Sequence, residues 1–510
     1  MIETEEKLET IEVVKRNGKK VEFDGAKVAM AIKKGFDSVL LDAEEDEKKY
    51  NTKDIQKVYQ AVIKKIAKDY LPLGKIKIEE IQDLIEENLK KYDYQDVYEN
   101  FSEYRQRRAN ARIAFRDDKN MAKLQKSIEG LGLRSATEED SKRENANIDG
   151  NSAMGTMLQF GSTISRAFTE AYLMKKKFAE AHDNGDIHIH DMDFEAMGTT
   201  TCMQIDLNKL FKGGFSTGHG HLREPQDIMS YGALAAIAIQ SNQNDQHGGQ
   251  SIPAFDYYLA PGVLKTFKKQ FKQAVYELLD FTDFISFVNM DRVEKEIDKL
   301  TSIDVDLTVF EGIYKDSTEV KKIFEKGYET AYKKTDRATY QAMEAFVHNL
   351  NTMHSRAGAQ VPFSSVNFGT DTSPEGRMVM KNYLLAVDAG LGKNETPIFP
   401  ISIFKVKDGV NYEPGDPNYD LFKLAIKVSA KRLFPNFSFM DSSFNKPYYK
   451  GDYNTEVGYM GCRTRVIGNV VDEDKAVTPG RGNLSFTSIN LPRLGIKHGI
   501  VRNDKTDMKG

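Results

Sequence analysis

Only two of the 510 residues are cysteines, and each has unusual neighbours. Cys462 lies in Gly458-Tyr459-Met460-Gly461-Cys462-Arg463-Thr464, with glycines bracketing a Tyr-Met pair. Cys202 follows three threonines, in Thr199-Thr200-Thr201-Cys202-Met203-Gln204. Glycine permits tight turns and close backbone approach to a ligand, so a thiol at such a tip can be presented inside a closed site. Spacing alone favours the plainer reading of two ordinary buried cysteines, since cysteine is among the most buried residue types. There is no CxxC pair, so a thiolate zinc site has no framework and no metal ligands are assigned.

Four other stretches bring polar groups together. His188 and His190 alternate between Asp186 and Asp191. Without a third ligand in view they read as a hydrogen-bonded strand end rather than a metal site. Asn244 to Pro253 is too polar for a simple core strand and reads as a loop lining a nucleotide pocket or a subunit contact. Ser364, Ser365 and Asn367 suit a ribose or phosphate, and suit turn caps equally well. Lys15-Arg16-Asn17-Gly18-Lys19 sets three cations around a tight turn, and Lys27 opens the next helix one turn after Asp24. Cations, turn amides and a helix N-terminus are what polyphosphate binding needs. On chemistry alone a basic surface hairpin explains them equally.

The totals narrow the class. Charged residues are 29%, hydrophobics 40% and the net charge is −4, an ordinary composition with no basic field for nucleic acid. No apolar run approaches the ~18–20 residues of a membrane span, and Met1 to Glu12 is too acidic for a secretory or transit peptide. Two cysteines make no disulfide framework, so a reducing cytoplasm is the expected location. The lysines at 175–177 and between Lys265 and Lys272 read as solvated helix faces.

The elements that must position these groups fall into two textures. In residues 12–118, Glu12–Arg16 and Lys20–Phe23 read as strands joined at Asn17-Gly18, a strong hairpin turn. Helical periods follow: Val28, Ile32, Phe36; then Ile55, Val58, Val62, Ile66; then Ile78, Ile81, Leu84, Ile85, Leu89. A last helix is predicted from Tyr94 to about Arg116, and 119–144 reads as a charged connector. From 145 to 510 polar motifs alternate with apolar runs such as Met229–Ile239 and Pro397–Val406. Several of the short runs look like buried parallel strands, with long helices between (Pro261–Lys299, Asp336–Met353). That alternation predicts an α/β domain with a largely parallel sheet or barrel.

The first segment resembles the ATP-cone through Val14-Lys15-Arg16-Asn17-Gly18, Phe23-Asp24 with Lys27, Ile78 to Glu86, and Tyr104 to Ala109. The resemblance implies ATP or dATP as allosteric effectors. It gives Lys15, Arg16, Asn17, Gly18, Lys19 and Lys27 the phosphates and Asp24 a base or ribose contact. The remainder resembles the anaerobic, glycyl-radical class of ribonucleoside-triphosphate reductase. The motifs are Asn145–Gly150, Gly185–Asp191, Asn244–Pro253, Ser355–Gly369, Thr396–Pro400 and Gly480–Arg493, together with the two cysteines. It implies a small, mostly helical ATP-cone followed by an incomplete ten-stranded α/β barrel. It also implies thiyl chemistry at Cys462, hydrogen delivery by Cys202, and a substrate hydrogen bond from Asn483. Further expectations are a ribonucleoside-triphosphate substrate, an iron–sulfur, S-adenosylmethionine-dependent activating enzyme and a homodimer. The family's zinc cysteines and radical glycine have no match here, so the chain reads as a fragment or split subunit, inactive alone. Alternatives are a cobalamin-dependent reductase, another glycyl-radical enzyme, or a non-catalytic nucleotide-binding remnant.

Overall fold

Val13 and Val21 face each other across the antiparallel pair β1 (Glu12–Val14) and β2 (Lys20–Glu22), the hairpin expected from the sequence. The computed structural model describes residues 8, 10–15, 19–40, 50–114, 152–314, 317–356, 358–461, 464–499, 501–502 and 505–506. Two units divide the chain: Met1–Gln125 with Glu170–Lys176, and Lys126–Thr169 with Lys177–Gly510. The predicted connector at 119–144 and the motif at 145–150 lie outside the described residues, as do Arg16, Asn17 and Gly18.

In the first unit four helices pack around the small sheet: α1 (Gly25–Leu40), α2 (Thr52–Asp69), α3 (Ile78–Lys91) and α4 (Gln95–Ala114). Just before α3, β3 (Lys75–Lys77) runs parallel to β1. The sequence reading missed β3, because a Lys-Ile-Lys run offers one apolar residue and no period. The apolar stripes meet in one core, where Phe36, Tyr50 and Tyr94 stand edge to face at 5.1–5.4 Å. Asn51 and Asp54 form a reciprocal cap on α2. Arg105 on α4 reaches Glu79, Asp83 and Glu86 of α3 at 2.9–3.1 Å. Burial opposes its charge, but the three carboxylates outweigh it and raise the guanidinium pKa. Two of the sequence blocks that carry the ATP-cone resemblance are thus joined by one side chain.

The second unit is built on a six-stranded sheet. Its strands and helices follow in chain order: β4 (Ile187–Ile189), β5 (Cys202–Gln204), α5 (Ile228–Asn242), β6 (Gln250–Ile252), α6 (Phe255–Phe281), α7 (Thr318–Thr352), β7 (Ser364–Phe368), α8 (Pro374–Ala389), β8 (Ile401–Val406), α9 (Tyr419–Arg432), β9 (Asn436–Phe439), β10 (Gly458–Tyr459), β11 (Arg465–Val466), β12 (Gly482–Asn483) and β13 (Thr487–Ile489). The main sheet runs β9-β8-β7-β6-β5-β12. The first five are mutually parallel and β12 closes antiparallel on β5. The fold is therefore mixed α/β with half a barrel's worth of strands.

Several expectations are corrected. Met229–Ile239 lies within helix α5, not a strand; an Ala-rich apolar run carries no period that separates the two. The helix predicted over Pro261–Lys299 begins six residues earlier and stops at Phe281, and Asp283 adopts a positive φ before a separate helix at Met290–Lys299. Asp336–Met353 marks only the second half of the 35-residue α7. Residues 250–252 form a buried core strand, β6, despite their polarity. They can do so because Gln250 donates to Gln243 and accepts from Asn242, at 2.9 and 2.8 Å, so that burial costs no hydrogen bonds.

Strand alternation gives the sheet two different faces. Ile252, Val366, Phe368, Phe404 and Val406 point into the large helix-covered core. Their alternates Ser251, Asn367 and Lys405 point to the opposite, inner face. At the carboxyl ends of these strands the charges are dense. Asp256 Oδ2 accepts the backbone N–H groups of Gly369, Thr370 and Asp371 at 2.8–3.1 Å. Lys405 pairs with Glu456 at 3.0 Å, both almost inaccessible, and Lys407 joins them at 3.3 Å. Burial, then the neighbouring Asp256, pushes the Asp371 carboxyl from 3.8 up to about 6. Between those values the folded chain holds a proton that the unfolded chain has released. The associated stability is present below the lower value and is lost as pH rises through the upper one. Asp371→Asn should remove this slope. In urea denaturation, wild type should gain on the variant by up to about 3 kcal/mol as pH falls from 7 to 4.

Candidate active site

Cys202 and Asn483, 281 positions apart, are direct partners in the antiparallel ladder of β5 and β12. Thr201 N–H donates to the Asn483 carbonyl at 2.8 Å and Gln204 N–H to the Arg481 carbonyl at 2.8 Å, which fixes the register. Cross-strand partners project from the same face. The side-chain Nδ2 of Asn483 is buried and has no hydrogen-bond partner among the described residues, so a donor sits unused beside the thiol. Cys202 itself is 2% exposed and packs against Met460 and Val466.

Those two residues belong to the hairpin whose tip carries the other thiol. β10 and β11 pair antiparallel, and Met460 N–H donates to the Thr464 carbonyl at 3.0 Å. Cys462 and Arg463 lie outside the described residues, but the stems on either side are held. Asn367, in the middle of β7, clamps the stem like a strand backbone. Its Oδ1 accepts Tyr459 N–H at 2.9 Å, and its Nδ2 donates to the Tyr459 carbonyl at 2.8 Å. Ser251 Oγ donates to the same carbonyl at 2.8 Å. Asn367 is thus neither a turn cap nor available to a ligand: its amide is spent on the hairpin.

Two glycines allow the approach. A Cβ at Gly461 would fall 2.8 Å from the Phe363 ring and 2.9 Å from Ile401 Cδ1. One at Gly248 would fall 1.7 Å from the Thr201 carbonyl oxygen and 3.1 Å from Cys202 Sγ. Beside Gly248, the His247 ring lies between two hydroxyls, Thr199 Oγ1 at 2.7 Å and Thr201 Oγ1 at 3.0 Å. Phe194 stacks on it, and Asp191 stands 4.0 Å away. Burial lowers the imidazole pKa against the pull of Asp191, which favours a neutral ring. His247 therefore braces the start of β5. Its motif was visible in the sequence, but this role was not, because the partner threonines are nearly fifty positions away.

His188 and His190 flank the pairing of β4 with β13, with ring centroids 4.6 Å apart and His190 Nε2 2.7 Å from Ser488 Oγ. In the first unit Lys15 and Lys19 are exposed and joined by a backbone bond of 2.8 Å. Lys27 is 84% exposed and pairs with Asp24 at 2.8 Å, which lowers the Asp24 pKa. Asp24 also accepts Lys27 N–H and so caps α1. Among the described residues no cluster of three or more His, Cys, Asp or Glu groups could hold a metal ion, and no helix is long and apolar enough to cross a membrane.

The family model described as anaerobic ribonucleoside-triphosphate reductase matches residues 144–508, and the ATP cone domain model matches 11–110. The anaerobic ribonucleoside-triphosphate reductase of Haemophilus influenzae is 28% identical over 493 residues, covering 95% of this chain and 59% of that protein. That of Escherichia coli is 27% identical over 491 residues, covering 96% and 59%. This chain thus spans about three-fifths of the length of these relatives. Among solved structures, an anaerobic ribonucleotide reductase gives a TM-score of 0.44 at 15% identity, covering 74% of this chain and 52% of that one. The Thermotoga maritima anaerobic ribonucleotide reductase in complex with dATP and CTP gives 0.42 at 13% identity, covering 75% and 58%.

The clamp on Tyr459 yields a test. Asn367→Leu keeps the volume but strands the Tyr459 N–H in the interior, and should cost about 2–4 kcal/mol. Equilibrium urea denaturation followed by fluorescence or far-UV dichroism checks this.

Proposed function

This chain belongs to the anaerobic ribonucleoside-triphosphate reductase family, and on that premise we propose that it reduces ribonucleoside triphosphates to deoxyribonucleotides under ATP and dATP control. The observation that carries the reading is the meeting of Cys202, the unused Asn483 amide and the Cys462 hairpin on the inner face of one sheet.

The chemistry explains why two thiols and an amide suffice as the chain's own contribution. Hydroxide is a poor leaving group, so direct displacement of the 2′-hydroxyl is slow. A thiyl radical on Cys462 takes the 3′ hydrogen, forming S–H as C–H breaks. The 2′-hydroxyl takes up the 3′-hydroxyl proton and leaves as water. Cys202 gives C2′ a hydrogen atom, becoming a sulfur radical that the external reductant returns to the thiol as the 3′-ketone is reduced. Return of the 3′ hydrogen regenerates the Cys462 thiyl. Asn483 Nδ2 holds a substrate hydroxyl during these steps. The two electrons come from formate or a small dithiol protein. Burial of the site shields the radicals from solvent and oxygen. A glycyl radical would supply the initial oxidation of Cys462, and zinc is the family's structural metal. A thiolate zinc site has no ligand set in these 510 residues, since Cys202 and Cys462 are the only cysteines.

For the regulatory half, residues 12–118 are assigned as the ATP-cone, 119–144 as connector and 145–510 as the catalytic part. Exposed Lys15 and Lys19 beside the β1–β2 turn and Lys27 in the first turn of α1 suit a polyphosphate, with Arg16, Asn17 and Gly18 assigned to the same role and Asp24 to reading the sugar or base. A cytoplasmic homodimer with a radical-generating partner enzyme completes the proposal.

In the completed and activated enzyme, with the radical-bearing part supplied, Cys462→Ser should abolish deoxynucleotide formation while a glycyl radical signal still develops in electron paramagnetic resonance. Retained turnover would overturn the assignment. Lys15→Ala should weaken the response to dATP by about 5- to 100-fold in effector concentration, with basal turnover little changed. An unaltered dose–response curve would remove the effector role from this hairpin.

A further inference from the structure

Gln204 is the buried group on the inner face that the chemistry above leaves unused. It follows Cys202 by two positions on β5, and strand alternation puts both side chains on the same face. The residue is completely inaccessible, yet among the described residues neither its amide oxygen nor its amide nitrogen has a hydrogen-bond partner. A carboxamide left unsatisfied at both ends is costly, and methionine or leucine would fill similar space without that cost. Its surroundings offer little. Gly458, at the foot of the hairpin, lies so close that a Cβ there would fall 2.9 Å from Gln204 Nε2. Thr478, also against it, has its hydroxyl committed to the Glu456 carbonyl at 2.7 Å. Asn483, across the ladder from Cys202, likewise has a buried and unused Nδ2. Two idle amides therefore flank one thiol, one across the ladder and one further along the strand.

We propose that Gln204 is a substrate-binding residue whose carboxamide exchanges hydrogen bonds with a ribose hydroxyl. A hydroxyl is the simple group that can both donate to Oε1 and accept from Nε2. A site built this way rejects a sugar lacking the hydroxyl, because the amide is then left buried and unpaired. The assignment rests on the reductase reading above.

The test uses the holoenzyme with CTP and 2′,3′-dideoxy-CTP, binding being measured before activation and turnover after it. Gln204→Met should weaken CTP binding and raise its KM by about 10- to 100-fold. Affinity for the dideoxy analogue should stay within a factor of about two, with no loss of melting temperature. Gln204→Leu serves as a second variant and should behave alike. If CTP binding is unchanged in either folded variant, the amide does not contact substrate and the proposal is overturned. If CTP and its analogue weaken equally, with a lower melting temperature, Gln204 is a packing residue and the proposal is again overturned. A wild-type enzyme that fails to bind or reduce CTP takes down the reductase reading itself, and that control separates the two failures.

Discussion

A buried N–H or carbonyl must find a partner, and here that requirement shapes the inner face of the sheet. The hairpin of β10 and β11 enters the space over that face with no long strand to pair against. Asn367 solves the problem by presenting an amide where a neighbouring backbone would otherwise be, and Ser251 adds a hydroxyl. Once Tyr459 is pinned, Met460 is set against Cys202 and the hairpin tip has a fixed starting point. The polar strands β6 and β7 follow from this. A face lined with valine and isoleucine would bury the same area but leave the hairpin backbone unsatisfied. The opposite face meets the helices through mainly apolar side chains, with Gln250 and Ser402 hydrogen-bonded to helix residues.

The charged rim at the strand ends works by the same logic in a different currency. Glu456 lies two residues before the hairpin and would be prohibitive as a lone buried charge. Lys405 on β8 and Lys407 just beyond it neutralise it, and Thr370 donates to it at 2.9 Å. The base of the hairpin is thereby tied to β8, while its stem is tied to β7. Two independent anchors at different heights restrict rotation as well as translation, which a single contact would not.

Much of the first unit was legible in the sequence because its signals are local. Asn17-Gly18 marks the turn between β1 and β2, and the stripes of α1 to α3 repeat at helical spacing. The second unit was harder for a physical reason. Its parallel strands carry polar residues on the covered face as well, Gln250, Ser364 and Ser402, so they show neither clean alternation nor a uniform apolar run. Residues 250–252 look like a loop until Gln243 and Asn242 are seen to satisfy Gln250. The helix α5, uniformly apolar, carried no period to separate it from a strand. The pairing of Cys202 with Asn483 follows from no local pattern and was reachable only through family resemblance. The shared face of Gln204 and Cys202, by contrast, could have been read from their spacing of two.

The ladder between β5 and β12 also has a meaning in time. Thr201 and Leu484, which hydrogen-bond across it, are 283 positions apart. At synthesis rates of about 5–20 residues per second, roughly 15–60 seconds separate the emergence of the two sides from the ribosome. During that interval Cys202 sits on a strand whose outer edge has no neighbour, open to mispairing and to oxidants. The long α6 and α7 both precede β12 in the chain, so they can order before it and hold the parallel strands in place. Closure of β12 on β5 therefore comes after the parallel strands and helices that precede it in the chain, so the Cys202 edge is covered only once that support is built.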